Sequence, residues 1–186
     1  VSVAQDRSRE KGFIAASGLP VGPYADVCGE AGFDAALVRV RLPAILKTAR
    51  FGYDGKGQAT IASREDLARV FAQWKRVPCV LEERLALELE ISVILARAAD
   101  GEVAVFPVAE NRHAGGILDV TIAPARIPGD LAAQAMELAT RLAVALDYVG
   151  VLAVEMFVVG GRLVLNEITP RLAGEVALQL CMDLAR

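Results

Sequence analysis

Residues 149–159, VGVLAVEMFVV, and 162–168, RLVLNEI, are two apolar runs separated only by Gly160-Gly161. Runs of this kind across a two-glycine turn form a β-hairpin, so the C-terminal part of the chain is built on antiparallel strands. A second hairpin signal precedes it: EISVILARA enters the Ala99-Asp100-Gly101 turn and leaves as VAVFPVAE. CVLEE opens this strand-rich region at Cys79, and Ile117 to Pro124 adds a further strand. Between the hairpins, Leu131, Ala135, Leu138, Leu142 and Leu146 recur at helical steps, which predicts a helix over Asp130 to Leu146.

The N-terminal part reads differently. Gln5 to Ala16 has the spacing of a short helix stopped by Gly18 and Pro20, and Leu19 to Val27 is extended. Cys28 to Phe33 forms a second short helix closed by Gly32, while Ala35 to Val40 and Pro43 to Thr48 are β-compatible. Ser63 then caps SREDLARVFAQW, with Glu65 and Asp66 in the first turn and Leu67, Val70, Phe71 and Trp74 at helical spacing. The expected class is α+β, with a helix-and-strand lobe over 1–78 and a larger, mainly antiparallel sheet lobe carrying one long helix over 79–186.

A hydrophobic fraction of 54% over 186 residues leaves ample material for a core. The net charge of -3 supplies no basic field for nucleic acid, so an anionic ligand has to be met by locally placed cations. Cys28, Cys79 and Cys181 are far apart and accompanied by a single histidine, which argues against a disulfide framework or a Cys/His zinc site and fits a reducing cytoplasm. Charges interrupt every apolar run short of the roughly 20 residues of a membrane span. The opening VSVAQDRSREKG has no secretion-signal core and reads as a cut into a longer protein.

Three stretches carry chemistry. In Leu42 to Gln58, LPAILKTARFGYDGKGQ, Lys47 closes a short strand, and Gly52, Gly55 and Gly57 let backbone amides turn toward an anion, with Lys56 as a second cation. An exposed turn is the competing reading. In the last hairpin, Glu155 falls opposite Asn166 or Glu167, placing carboxylates side by side within an apolar ribbon. A hard divalent cation resolves that repulsion, as magnesium held by one or two carboxylates and substrate phosphates; pairing with Arg162 or Arg171 is the alternative. Finally, Val80-Leu81-Glu82, with Glu83, Glu88 and Glu90 beyond, is an apolar strand ending in carboxylates. Such a strand suits an adenine and its ribose, or is simply the solvated rim of a strand.

LPAILKTARFGYDGKGQ, CVLEERLALELEISVI, ENRHAGGILDVTIAPARI, YVGVLAVEMF and LVLNEITPR together resemble, in order and spacing, the ATP-grasp portion of the carboxyaminoimidazole ribonucleotide synthetases. VAQDRSREKGFIAASGLPV is similar to that family's entry into the region, and the likeness runs from about Val3 to Arg171. The resemblance implies an ATP-grasp fold with nucleotide between the lobes and carboxylation of aminoimidazole ribonucleotide through carboxyphosphate, using ATP, magnesium and bicarbonate. It assigns Lys47 to the ATP phosphates and Gly55, Lys56, Gly57 and Gln58 to a phosphate-covering loop. Glu82 would hold adenine, Glu90 the ribose, and Glu155 and Glu167 magnesium, with Asn166 beside the nucleotide. Tyr53 and Asp54 would contact the ribonucleotide, Asp54 also orienting the amine or taking its proton, and Arg171 would lie near bicarbonate. A cytoplasmic homodimer without nucleic-acid or membrane partners completes that expectation.

His113 reads as a hydrogen-bonded loop histidine, although ENRHAGGIL resembles a family segment lining the active-site side of the sheet. After NEITPR the family continues with a His-Asn-Ser-Gly-His type segment, whereas this chain has Leu172-Ala173-Gly174-Glu175 and an apolar tail with helical spacing at Val176, Leu180 and Leu184. Two other functions therefore stay open: an ATP-grasp carboxylate-amine ligase with a different acceptor, and an ATP-binding fragment without turnover.

Overall fold

The computed structural model describes residues 3–50, 57–115 and 117–171, with backbone only for Arg171. Its elements in chain order are α1 (Arg7–Ala16), β1 (Tyr24–Val27), α2 (Phe33–Arg39), β2 (Ala44–Thr48), β3 (Gln58–Ile61), α3 (Arg64–Gln73), β4 (Cys79–Glu83) and β5 (Leu89–Arg97). Then come β6 (Val103–Val105), β7 (Ala109–Ala114), β8 (Ile117–Ile122), α4 (Gly129–Ala145), β9 (Gly150–Val159) and β10 (Arg162–Arg171).

Two sheets organise the chain. The first has strand order β1-β4-β2-β3, and the second runs β10-β9-β5-β7-β8 with β6 added to β5. Every pairing within them is antiparallel. The α+β expectation therefore stands, with two adjustments to where the chain changes sheet. Cys79–Glu83 belongs to the first sheet, so the change falls between Glu83 and Leu89 rather than at residue 79. At the other end, Ile14 of α1 and Leu19 are buried in the core of the second sheet although they lie near the N-terminus.

Each sheet buries one face under helices. Under the first, Phe33 and Phe71 meet edge to face at 5.5 Å between ring centroids, above Val27, Leu46, Ile61 and Leu81. Ser63 caps α3 by accepting from the Asp66 amide, and Leu67, Val70 and Phe71 form its buried stripe. Residues 35–39 are helical instead of extended, and only Val40, the cap residue, has extended backbone: Phe33 and Ala36 are buried at i and i+3, so packing favours one helical face, and Val40 joins the same core. Under the second sheet, α4 places Ala135, Ala139, Leu142 and Ala143 against Val93, Leu95, Leu152 and Val154. VAVFPVAE is two strands, because the chain leaves β5 after Val105 and rejoins it as β7, where Ser92 pairs with Ala109.

The second sheet's other face is left for a site. Along β5, Ile91, Val93 and Leu95 are buried under α4 while Glu90 and Ser92 alternate onto the opposite side. β9 repeats the pattern, with Leu152, Val154, Met156 and Val158 inward and Glu155 and Phe157 outward.

Candidate active site

β2 and β3 form a hairpin whose last pair is Lys47 and Gln58, and Thr48 donates its amide to the Gly57 carbonyl at 2.9 Å. Gly57 has φ +73°, which suits glycine at the closure of such a loop. The loop between these strands, with Tyr53, Asp54, Gly55 and Lys56, lies outside the described residues. Opposite, Lys47 pairs in register with Val80, bringing β4 and its Glu82 alongside.

At the far hairpin, Gly160 and Gly161 both have positive φ, +56° and +68°, as a tight turn with two left-handed positions requires. The register then runs Arg162 to Leu165 against Val159 to Met156 and slips at Asn166, so that Glu167, not Asn166, faces Glu155. This bulge has a visible effect on side-chain parity. Leu163 and Leu165 are buried, and after the extra residue it is Ile168 that points into the core. Without the slip, Glu167 would point under the sheet.

The described candidates share one cleft of about 990 Å³, whose lining includes Lys47, Gly57, Gln58 and Glu82 from the first sheet and Glu90, Glu155, Asn166 and Glu167 from the second. Arg171 ends β10 opposite Val151, and its side chain lies outside the described residues. Arg7 and His113 also line the cleft. His113 sits on β7 rather than in a loop and pairs through Nδ1 with Glu90 Oε2.

Ion pairing inside the cleft involves residues that sequence reasoning passed over. Lys47 Nζ donates to Glu82 Oε2 at 3.0 Å, and Lys11 Nζ reaches the same oxygen at 3.3 Å. Lys11 also donates to the Asn166 carbonyl at 3.0 Å, Arg7 NH1 to Glu167 Oε2 at 3.1 Å, and the Ile168 amide to Glu10 Oε1 at 2.9 Å. Arg7, Glu10 and Lys11 are at i, i+3 and i+4, one face of α1, and that face is applied to the bulge. Glu10 and Lys11 are only 3% and 4% exposed, unusual for adjacent charges, yet nothing in their local sequence separates them from a solvated helix face. Among the described side chains, the arginine that pairs with this glutamate couple is Arg7, through Glu167, and not Arg162.

These contacts set protonation. Burial raises the Glu82 pKa, but the Lys11 and Lys47 charges outweigh it and hold the carboxyl below its ordinary value. Burial, reinforced by the Glu167 charge, pushes Glu155 up, and the same two causes take Glu10 to about 8. Burial lowers Lys11, opposed by Glu82. Two buried acceptors, Glu82 Oε1 and Asn166 Oδ1, have no hydrogen-bond partner among the described residues, and both residues line the cleft. The Glu155 and Glu167 carboxylates and the Asn166 oxygen that line the same cleft are hard oxygen donors of the kind magnesium takes.

An ATP-grasp domain model matches residues 12–182. The chain belongs to the ATP-grasp family. Among its ATP-grasp relatives, the N5-carboxyaminoimidazole ribonucleotide synthase of Bacillus subtilis is 41% identical over 182 residues, covering 96% of this chain and 48% of that protein. That of Pseudomonas aeruginosa is 43% identical over 169 residues, covering 91% and 46%. The solved N5-carboxyaminoimidazole ribonucleotide synthetase of Thermus thermophilus superposes with a TM-score of 0.85 at 41% identity, covering 92% of this chain and 46% of the other. The Staphylococcus aureus enzyme complexed with ADP gives a TM-score of 0.87 at 32% identity, covering 98% and 51%. The chain thus spans about half the length of the relatives it matches.

Proposed function

We propose that this chain is the ATP-grasp portion of a cytoplasmic, homodimeric ligase that carboxylates aminoimidazole ribonucleotide with ATP and bicarbonate in purine biosynthesis. The observation that carries this reading is the gathering of Lys47, Glu82, Glu90, Glu155 and Glu167 around one cleft between two sheets, in a chain 41% identical to a relative named for that product. Its lobes would be the first sheet with its helices and the second sheet with α4, and nucleotide would bind between them.

In this reading, a bicarbonate oxygen attacks the γ-phosphorus as its bond to the ADP oxygen breaks, giving carboxyphosphate. The exocyclic amine of the ribonucleotide then takes the carboxyl group, directly or through carbon dioxide; phosphate leaves and the amine loses a proton. Lys47, with Lys56 from the loop, meets negative charge spread over the transferring phosphoryl oxygens, where fixed cations lower the barrier. Gly55, Gly57 and Gln58 close over the phosphates and keep water from the labile carboxyphosphate. Glu82 and the strand before it hold adenine, Glu90 accepts from the ribose, and Asn166 flanks the nucleotide. Glu155 and Glu167 would hold magnesium, which supplies charge neutralisation at the phosphates. Tyr53 and Asp54 contact the ribonucleotide, Asp54 also orienting the amine or taking its proton, and Arg171 meets bicarbonate.

ADP release from ATP, measured with bicarbonate and with or without aminoimidazole ribonucleotide, tests this reading. Bicarbonate-dependent ADP formation stimulated by the ribonucleotide is the expected result. Nucleotide binding without turnover would reduce the chain to a binding module, and stimulation by a different acceptor would redirect it to another ligase. Leu172-Ala173-Gly174-Glu175, which departs from the family's His-Asn-Ser-Gly-His type segment, is the feature that favours such a different acceptor.

A further inference from the structure

Glu82 is an ionised carboxylate with two ammonium groups on a single oxygen. Lys47 Nζ stands 3.0 Å from Oε2 and Lys11 Nζ 3.3 Å. The two lysines are not equivalent. Lys47 lines the cleft, whereas Lys11 does not; its side chain is 5% exposed against 13% for Lys47, and it is anchored from behind by the Asn166 carbonyl at 3.0 Å. One carboxylate facing two buried cations leaves an excess positive charge at the wall of the cleft. If Lys47 were the only partner of Glu82, turning it toward a ligand phosphate would leave a bare carboxylate in a buried position, a costly state.

We propose that Lys11 is a positioning residue that acts as the permanent counterion of Glu82, releasing Lys47 to an anionic ligand phosphate without unpairing the carboxylate. The inference rests on the nucleotide reading of the cleft and deepens it. Lys11 touches neither phosphate nor base; it acts through Glu82 and Lys47. The class of ligand it serves is a nucleoside di- or triphosphate, and adenosine, which lacks phosphates, makes no demand on Lys47.

Calorimetric titration of the 186-residue chain with ADP and with adenosine tests this, using wild type, Lys11→Met, Glu82→Gln and the double variant. Lys11→Met keeps the apolar stem and removes the charge. It should weaken ADP binding by about tenfold or more, the scale of one charge-assisted interaction, and leave adenosine affinity nearly unchanged. In the Glu82→Gln background the same change should cost ADP affinity little, since no carboxylate remains to be held; this coupling is what a double-mutant cycle reads. Equal losses for ADP and adenosine, or an undiminished loss in the Glu82→Gln background, would make Lys11 merely structural and overturn the proposal. So would unchanged ADP affinity in Lys11→Met. Should Lys11→Met not fold, Lys11→Arg keeps the charge and should retain the wild-type ratio of ADP to adenosine affinity; a collapse of that ratio in a folded Lys11→Arg protein counts against the proposal. Failure of the nucleotide reading is separately visible, because wild type would then bind ADP no better than adenosine.

Discussion

Lys47→Ala removes the ammonium that lies at the cleft wall 3.0 Å from Glu82 Oε2. ATP affinity should fall by one to two orders of magnitude, while Lys11 keeps Glu82 paired and the fold intact. Fluorescence titration with a nucleotide analogue measures it, and wild-type affinity would leave the loop without its main support. A second residue-scale expectation concerns pH. Glu110 is buried on β7, hydrogen-bonded by Arg126 and by Arg112 at its rim, and the Arg126 bond above all, against the opposing effect of burial, takes its pKa to about 2 from 4.5. A carboxylate with a depressed folded pKa contributes stability that is present above 4.5 and lost as pH falls toward about 2. Thermal unfolding between neutral pH and pH 2 should therefore show Glu110→Gln less stable at neutrality but with a shallower acid loss than wild type.

On the scale of elements, the β10 bulge is the decisive feature. Deleting Asn166 should remove the extra residue and leave plain alternation, with Glu167 still facing Glu155 and Ile168 still inward. Urea unfolding should then change little, while magnesium-dependent nucleotide binding should weaken because the Asn166 side-chain oxygen that lines the cleft is lost. Glu167→Gln is the matched comparison: it keeps the bulge, should leave urea unfolding nearly unchanged, and should weaken only the magnesium-dependent part of binding. Equal magnesium dependence in Glu167→Gln and wild type would count against the metal assignment. α1 belongs to the same device, since its Arg7, Glu10 and Lys11 face grips Asn166 at the slip and the two residues after it.

For the whole molecule, the cleft draws its lining from both sheets, so the nucleotide proposed to bind there would bridge them. ADP at a hundredfold excess over its Kd should stabilise the chain by about 2.7 kcal/mol through mass action alone. Scanning calorimetry should then show a single, raised transition; an unshifted transition would mean that the cleft does not hold nucleotide in the folded chain.

Much of this was readable locally. The Ser63 cap, the apolar stripe of α4 and the two-glycine turn of the last hairpin all depend on neighbours within one or two turns of chain, and spacing alone reports them. Matching stretches named the candidate residues for the same reason: a lysine before a glycine loop and glutamates across a hairpin are short-range patterns. The helix over residues 35–39 escaped because alanine and valine suit either state until Phe33, Ala36 and Val40 find a common core. Membership of Cys79–Glu83 in the first sheet, the choice of Glu167 over Asn166, and the burial of Glu10 and Lys11 were decided only by contacts between residues far apart in sequence. A charged helix face looks the same whether water or a second sheet covers it, so the two-lysine arrangement at Glu82 exists only once α1, β2 and β4 have packed together.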